Sequence, residues 1–400
     1  MKTRILLAMC VFSLIIIGCE SDDTPDIIIN DNSVTNNNSG GTGGGSTNET
    51  IELAGSITSD LTLDADQNYL VSSALFVEDG VTLTILAGTT VRFSPSGVNN
   101  FLAVKQGGQI EVLGTAQNPV VMTSNNFNAG PGDWGGLILL GKAPTNITPD
   151  NSTNTANSEV GNLAYGGDDP NDNSGTISYL RLEYTGGAIN GNAELNGLSL
   201  YAVGDATNID HVQIYLGSDD GVEFFGGTVN ASFISVVGSE DDSIDWTEGY
   251  TGTLTDVYVE QIIDGDSGFE MDGFNTDFSN ASESGVVSRP TVNNVTFIGN
   301  NDNSRAFRLR AGTGGVFENV LIRNTGRGIA VEDDEADWIT SSNIPTDLQF
   351  TNVAFDNVTE EFLYSGDANP APTQADVISG DSASATGTDY ATWGAGWTVQ

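Results

Sequence analysis

Seven segments of the chain repeat one short pattern: ISYLRLEY (177–184), IDHVQIYL (209–216), ASFISVVG (231–238), LTDVYVEQ (254–261), VNNVTFIG (292–299), FENVLIRN (317–324) and FTNVAFDN (350–357). Each is followed by a second, shorter alternation: GLSLYAV, GVEFFGG, SIDWTEG, GFEMDGF, AFRLRAG, GIAVEDD and EFLYSGD. The anchor hydrophobes are Leu180, Val212, Ile234, Val257, Val295, Val320 and Val353, at successive intervals of 32, 22, 23, 38, 25 and 33. The short intervals define the basic unit, and the long ones carry loop insertions. One such unit cannot bury its apolar face alone, so units of this kind stack. With hydrophobic alternation of period two, the stacked unit is a β coil. The expected fold class is all-β: a single right-handed parallel β-helix with loop insertions on an N-terminal tether.

The alternation begins at residue 51. In VTLTILAGTTVRF (81–93) and FLAVKQGGQIEVLGTAQNPVVMTS (101–124), Leu83 is as far from Leu102 as Val91 is from Ile110. This shared spacing, shorter than any between the later anchors, predicts tightly wound first coils in that register. Residues 125–176 break the rhythm around one apolar strand at 136–140, and further insertions fall at 275–291 and 333–349. The helix is expected over 51–370. Residues 371–400, with Trp393 and Trp397 beside small residues, are expected to cap the last coil, since an open β-helix end leaves strand edges unpaired.

Only 16% of residues are charged, yet the net charge is −42. Such a surface repels nucleic acid and anionic lipid and attracts cations, so no nucleic-acid partner is expected. It also favours solubility and a monomer. At the N-terminus, Lys2 and Arg4 precede an apolar run, Ile5 to Ile17, too short to span a bilayer. The run ends in Ile16-Ile17-Gly18-Cys19, which resembles a bacterial lipobox. The resemblance implies a signal peptide over 1–18 and lipid on Cys19, which anchors the chain to a membrane. Glu20-Ser21-Asp22-Asp23 resembles the acidic tag that sends Bacteroidota lipoproteins to the outer face of the outer membrane. Residues 19–50 then read as a lipidated tether, Asn/Gly/Ser/Thr-rich with little to bury.

VTLTILAGTTVRF, GDWGGLILLG, DNSGTISYLRLEYTGG and the repeated Asn-Val segments together resemble the parallel β-helix lipoproteins of Bacteroidota, with the pectate-lyase-like fold. The resemblance implies fold and a cell-surface location on the outer membrane. Function varies across such proteins.

Alternation also assigns the outward side chains of the second strands. One column reads Ser199, Glu223, Asp245, Glu270, Arg308, Ala330, Leu363, and the next Tyr201, Phe225, Thr247, Asp272, Arg310, Glu332, Ser365. Three carboxylates stacked at about 4.8 Å must take up protons, bind a cation or be neutralised by arginine. Corner acids (Asp219, Asp220, Glu240, Asp241, Asp242, Asp264 and Asp266) precede these strands. Three readings follow. Glu223, Asp245 and Glu270 are candidate calcium ligands, since calcium takes several oxygen donors. Pectate-lyase-like β-helices place calcium-binding acids and a catalytic arginine on such a face, which makes Asp245, Glu270 and Arg308 candidates for polysaccharide lysis. Carboxylates on adjacent coils also approach the about 5–5.5 Å of retaining glycosidases. GSDDGVE and SEDDSID resemble the paired-acid strand of polygalacturonase-like enzymes, whose Gly-His-Gly element this chain lacks. Tyr201, Phe225, Asp272 and Arg310 are candidate binding residues beside the acids. Solvated acids without a ligand are the plain alternative.

His211, the single histidine, occupies the position held by Asn294, Asn319 and Asn352 in other units and reads as a corner residue. With one histidine and Cys19 lipidated, zinc hydrolysis and a Ser-His-Asp triad are poorly supported. The functional expectation is binding or adhesion to a glycan or other extracellular polymer, calcium-assisted. The alternatives are a lyase or glycosidase, or an accessory partner of an outer-membrane transporter.

Overall fold

The computed structural model describes residues 50–147, 155–158, 161–188, 195–263, 265–275, 286–300, 304–334 and 339–399. The expected signal peptide, Cys19 and the expected tether up to residue 49 lie outside the described residues. Twenty-two strands form one sheet in which every pairing is parallel. This is the parallel β-helix expected from the repeat.

Every anchor sits in register with the next: Leu180 pairs with Val212, Val212 with Ile234, Ile234 with Val257, Val257 with Val295, Val295 with Val320, and Val320 with Val353. Within a unit, Ile209 and Val212 are both buried although they stand an odd number of positions apart. Strict alternation would put them on opposite faces. The residue before Val212 resolves this by turning the strand: His211 has φ 55°, and the equivalents Tyr179, Phe233, Asp256, Asn294, Asn319 and Asn352 have φ between 51° and 61°. Left-handed backbone is costly for most side chains, and Asn tolerates it best. The corner role expected for the asparagines and His211 is the one observed. The neighbouring coil helps hold it, since the Asn319 amide donates to Asn294 Oδ1 at 2.8 Å.

Inside, like side chains stack on like from coil to coil. Phe269 lies over Phe307 with ring centroids 4.6 Å apart, and Phe317 over Phe350 at 4.1 Å. Trp246 is fully buried, and its indole N–H donates to Thr313 Oγ1 at 3.1 Å.

Three expectations need correction. The N-terminal coils do not advance by the short Leu83–Leu102 spacing. Leu83 pairs with Ile110, Val91 with Met122, and Leu102 with Leu75. The repeated Gly-rich turns make the chain self-similar at the shorter spacing, but the true coil also includes the turn and bridging strand between them. Second, the 136–140 stretch is not an island within an insertion. Leu137–Leu140 is a coil strand lying between Leu102–Val104 and Leu198–Tyr201. The insertion proper leaves after it and returns at Gly175, where φ is 112° and a Cβ would lie 2.1 Å from the Ile110 carbonyl oxygen, so only glycine fits. Third, Trp393 and Trp397 do not close the last coil. Ile378 pairs with Phe350 there, beside buried Val377. The chain then runs back along the flank as a strap over the corner column. Trp393 meets Phe233 and His211, and Trp397 meets His211 and Tyr179, at 5.5–6.3 Å between ring centroids. Tyr179, His211 and Phe233 form a continuous ring stack, and an uncovered aromatic column of that size is a strong apolar docking face.

Candidate functional site

The second strand of each coil is short, with its hydrophobes inward: Val222 and Phe224, Ile244 and Trp246, Phe269 and Met271, Phe307 and Leu309 are all buried. The residues between them therefore face out, and register aligns them. Glu223 pairs with Asp245, Asp245 with Glu270, and Glu270 with Arg308. The acidic column drawn from sequence thus exists as one ridge.

A second tier of acids lies beneath it, in the turns that lead into these strands. Asp220 and Asp242 are 7% and 4% exposed. Asp220 Oδ1 accepts the backbone N–H of Asp242 at 2.9 Å, and Asp242 Oδ1 accepts that of Ser267 at 2.6 Å. Each carboxylate thus caps the next coil. The tiers merge: one oxygen from each of Asp220, Glu223 and Asp245 lies within 4.8 Å of the others, and the same holds for Asp242, Asp245 and Glu270. Two outer triads, Asp219/Asp220/Asp241 and Asp241/Asp242/Asp266, meet the same limit. Asp245 belongs to both inner triads, and its Oδ1 is buried without a hydrogen-bond partner.

Charge at this density is unfavourable. Burial, then Glu223 and Glu270, hold the Asp245 carboxyl well above the usual range. Burial, then Asp219 and Asp245, do the same to Asp220; burial, then Glu270 and Asp241, to Asp242. Asp241 is raised by burial, then by Asp266 and Glu270.

The ridge ends in arginine. Arg308 bonds Glu270 through Nη1 and Glu332 through Nε, the latter at 3.0 Å. Arg310 forms a fork with Asp272, at 2.7 and 3.1 Å, and also reaches Glu270. Arg305 joins Glu332 at 3.3 Å. Burial alone would lower the Arg308 pKa, but Glu270 and Glu332 outweigh it and hold the guanidinium charged. Burial pushes Asp272 up to about 7 despite its Arg310 fork.

The predicted site residues thus divide. Glu223, Asp245, Glu270, Arg308, Asp272 and Arg310 come together. Tyr201 and Phe225 do not offer open faces beside them. Each is 3% exposed, and they stack on each other with centroids 4.0 Å apart inside a second apolar cluster. The antiparallel hairpin Thr155–Asn157 and Ala164–Gly166 belongs to that covering layer, its Tyr165 lying 4.8 Å from Tyr201. They are coil-strand residues buried under the covering layer, not exposed binding residues beside the acids. Asp264 lies outside the described residues, as does the middle of the 275–291 loop. Sequence reasoning underrated Asp220, Asp242 and Glu332. The signal for the first two was the Asp-Asp pair at 219–220 and again at 241–242, recurring at the interval that separates the anchors Val212 and Ile234.

The donor set is carboxylate oxygen only, which suits a hard cation. Calcium binds oxygens at about 2.3–2.6 Å, so its ligands lie up to about 5 Å apart across the ion. The inner triads meet that geometry without rearranging the coils, and Asp245 Oδ1 is an orphaned buried acceptor at their junction.

No curated protein matches the sequence. Among solved structures, the Dettilon tailspike protein (gp208) is similar over 79% of this chain at 11% identity. This chain spans 62% of that protein's length, and the TM-score of 0.22 carries no argument beyond the likeness itself. The pectate-lyase like beta helix domain family matches residues 55–398. With nearly the whole coiled body inside that match, the chain belongs to the pectate-lyase-like β-helix family.

Proposed function

We propose that this is a lipid-anchored outer-membrane protein displayed at the cell surface, which binds acidic extracellular glycan through a calcium-loaded carboxylate ridge. The observation that carries the reading is the pair of inner triads sharing Asp245, with an orphaned buried oxygen at their junction. Glu223, Asp245 and Glu270, with Asp220 and Asp242 below, would hold the cation. When bound, the cation supplies positive charge on an otherwise repulsive face and so bridges protein acids to glycan carboxylates. Arg308 and Arg310 close the end of the ridge, each paired with its neighbouring acids. The lipid on Cys19 and the 19–50 tether would hold the body away from the membrane as a monomer, as a binding protein or as an accessory to an outer-membrane transporter.

Binding of polygalacturonate and alginate to the mature protein tests this in calcium and in EDTA. We expect binding in calcium that EDTA abolishes and Asp245→Asn weakens at least tenfold. Equal binding in both buffers, or none in calcium, refutes it.

One observation favours a second reading, glycoside hydrolysis. Burial, then Glu223, raise the Asp245 carboxyl well above the usual range, the direction a general acid needs, and Glu223 faces it from the adjacent coil. A lyase is less well served, since Arg308 is locked in its charged form by Glu270 and Glu332 and is a poor base. Release of reducing ends from the same polymers without the 4,5-unsaturated, ultraviolet-absorbing product of β-elimination, lost in Asp245→Asn, would favour hydrolysis.

A further inference from the structure

The C-terminal strap builds a groove that the ridge does not use. It lies on the outer face of the first strands, and its volume is about 640 Å³, within the range of ligand clefts. Its floor is formed by two adjacent columns, fixed by register. One runs Tyr258, Thr296, Leu321 and the other Glu260, Ile298, Arg323. The strap supplies the facing wall through Asp389 and Tyr390.

The strap is anchored on both sides of this groove. Asn319 Oδ1 accepts the backbone N–H of Thr386 and Gly387 at 2.7 and 3.0 Å, and the Thr388 N–H donates to Thr296 Oγ1 at 3.1 Å. Farther on, the Gln213 amide bonds Val399 both ways, at 2.8 and 2.7 Å. Tyr390 stacks flat on Tyr258 with centroids 3.8 Å apart, and the Tyr258 hydroxyl donates to Glu260 at 2.7 Å. The walls are thus held before any ligand arrives, which lowers the ordering cost of binding.

We propose that this groove binds a linear neutral oligosaccharide lying along the helix axis. Polar and apolar side chains alternate along the floor. The partly exposed Glu260 offers carboxylate oxygen to sugar hydroxyls, while Ile298 and Leu321 offer apolar surface to the C–H face of a pyranose ring. Anionic ligands are disfavoured: Glu260 and Asp389 line the groove, and Arg323 is already paired with Asp356 at 3.1 Å. The ligand class, extracellular glycan, rests on the proposed function; the site and its chemistry do not, because the groove shares no residue with the ridge.

Titration calorimetry of the mature protein in EDTA, with cellohexaose, maltohexaose, xylohexaose and mannohexaose as probes, tests the inference. EDTA silences the ridge, so the two readings fail separately. At least one probe is expected to bind. Leu321→Trp, which fills the groove, and Glu260→Gln, which keeps its shape, are each expected to weaken that binding at least tenfold while the circular dichroism spectrum is kept. Absence of binding by all four probes in EDTA overturns the inference, as does binding that neither variant weakens. A probe that binds only when calcium is restored places its site on the ridge; this overturns the groove and leaves the ridge reading standing.

Discussion

Removing calcium should make the fold lose stability as pH rises, against the usual behaviour of salt-bridged acids. A carboxyl whose pKa is raised in the folded state binds its proton more tightly folded than unfolded. Between the unfolded and folded pKa the native state holds more protons, so stability falls with rising pH and levels off above the folded value. Asp272 sets the scale. Its pKa rises from 3.8 to about 7, which at about 1.4 kcal/mol per pH step amounts to about 4 kcal/mol lost across that window. Asp220, Asp242 and Asp245 are raised in the same direction. Net stabilities are about 5–15 kcal/mol, so the cation-free protein should be far weaker at pH 8 than at pH 4.5. Urea melts across that range in EDTA measure the slope, and calcium should flatten it. Asp245→Asn keeps the side-chain shape and removes the charge between Glu223 and Glu270, so its slope in EDTA should be shallower and its stability at pH 8 higher. A wild-type stability that is flat or rises with pH in EDTA, or an Asp245→Asn slope equal to wild type, would refute the electrostatic account of the ridge.

Other outcomes follow from the packing. Trp246→Ala should cost about 3–5 kcal/mol by chemical denaturation, because the indole is fully buried and its N–H is satisfied. Asn319→Ala combines strain at φ 61° with loss of the side chain's bonds to the strap at Thr386 and Gly387 and should cost about 2–3 kcal/mol. Asn319→Gly relieves the strain and should cost less, and the comparison in urea separates the two effects. Deleting residues 386–400 should uncover the Tyr179–His211–Phe233 stack, read as dye binding to exposed apolar surface and a lower melting temperature. Arg308→Ala leaves Glu270 with Arg310 and Glu332 with Arg305 as their remaining cations and should destabilise by about 1.5–3 kcal/mol at pH 8, with a smaller loss in calcium.

Much of the fold was legible because register follows from periodicity. Once Leu180 through Val353 are recognised as equivalent, Glu223, Asp245 and Glu270 must become neighbours, and they do. The left-handed corner was legible too, from asparagine at one fixed place in the unit. Burial by distant segments was not. Alternation correctly turns Tyr201 and Phe225 away from the inner core, but it cannot reveal that a hairpin from 155–166 covers them. The strap has no period at all, so Trp393 and Trp397 carry no signal of the aromatic column they pack on. The second acidic tier lay in turns, where alternation assigns no direction and gives no sign that Asp220 and Asp242 each cap the next coil's amide.

The most direct measurement is a crystal structure of the protein grown in calcium, with anomalous data to locate the ion. The account predicts calcium bound to Asp245 together with Asp220 and Glu223, or with Asp242 and Glu270, with carboxylate oxygens at about 2.3–2.6 Å and the coils in the register described. An empty ridge at saturating calcium, with these carboxylates turned apart, would contradict it.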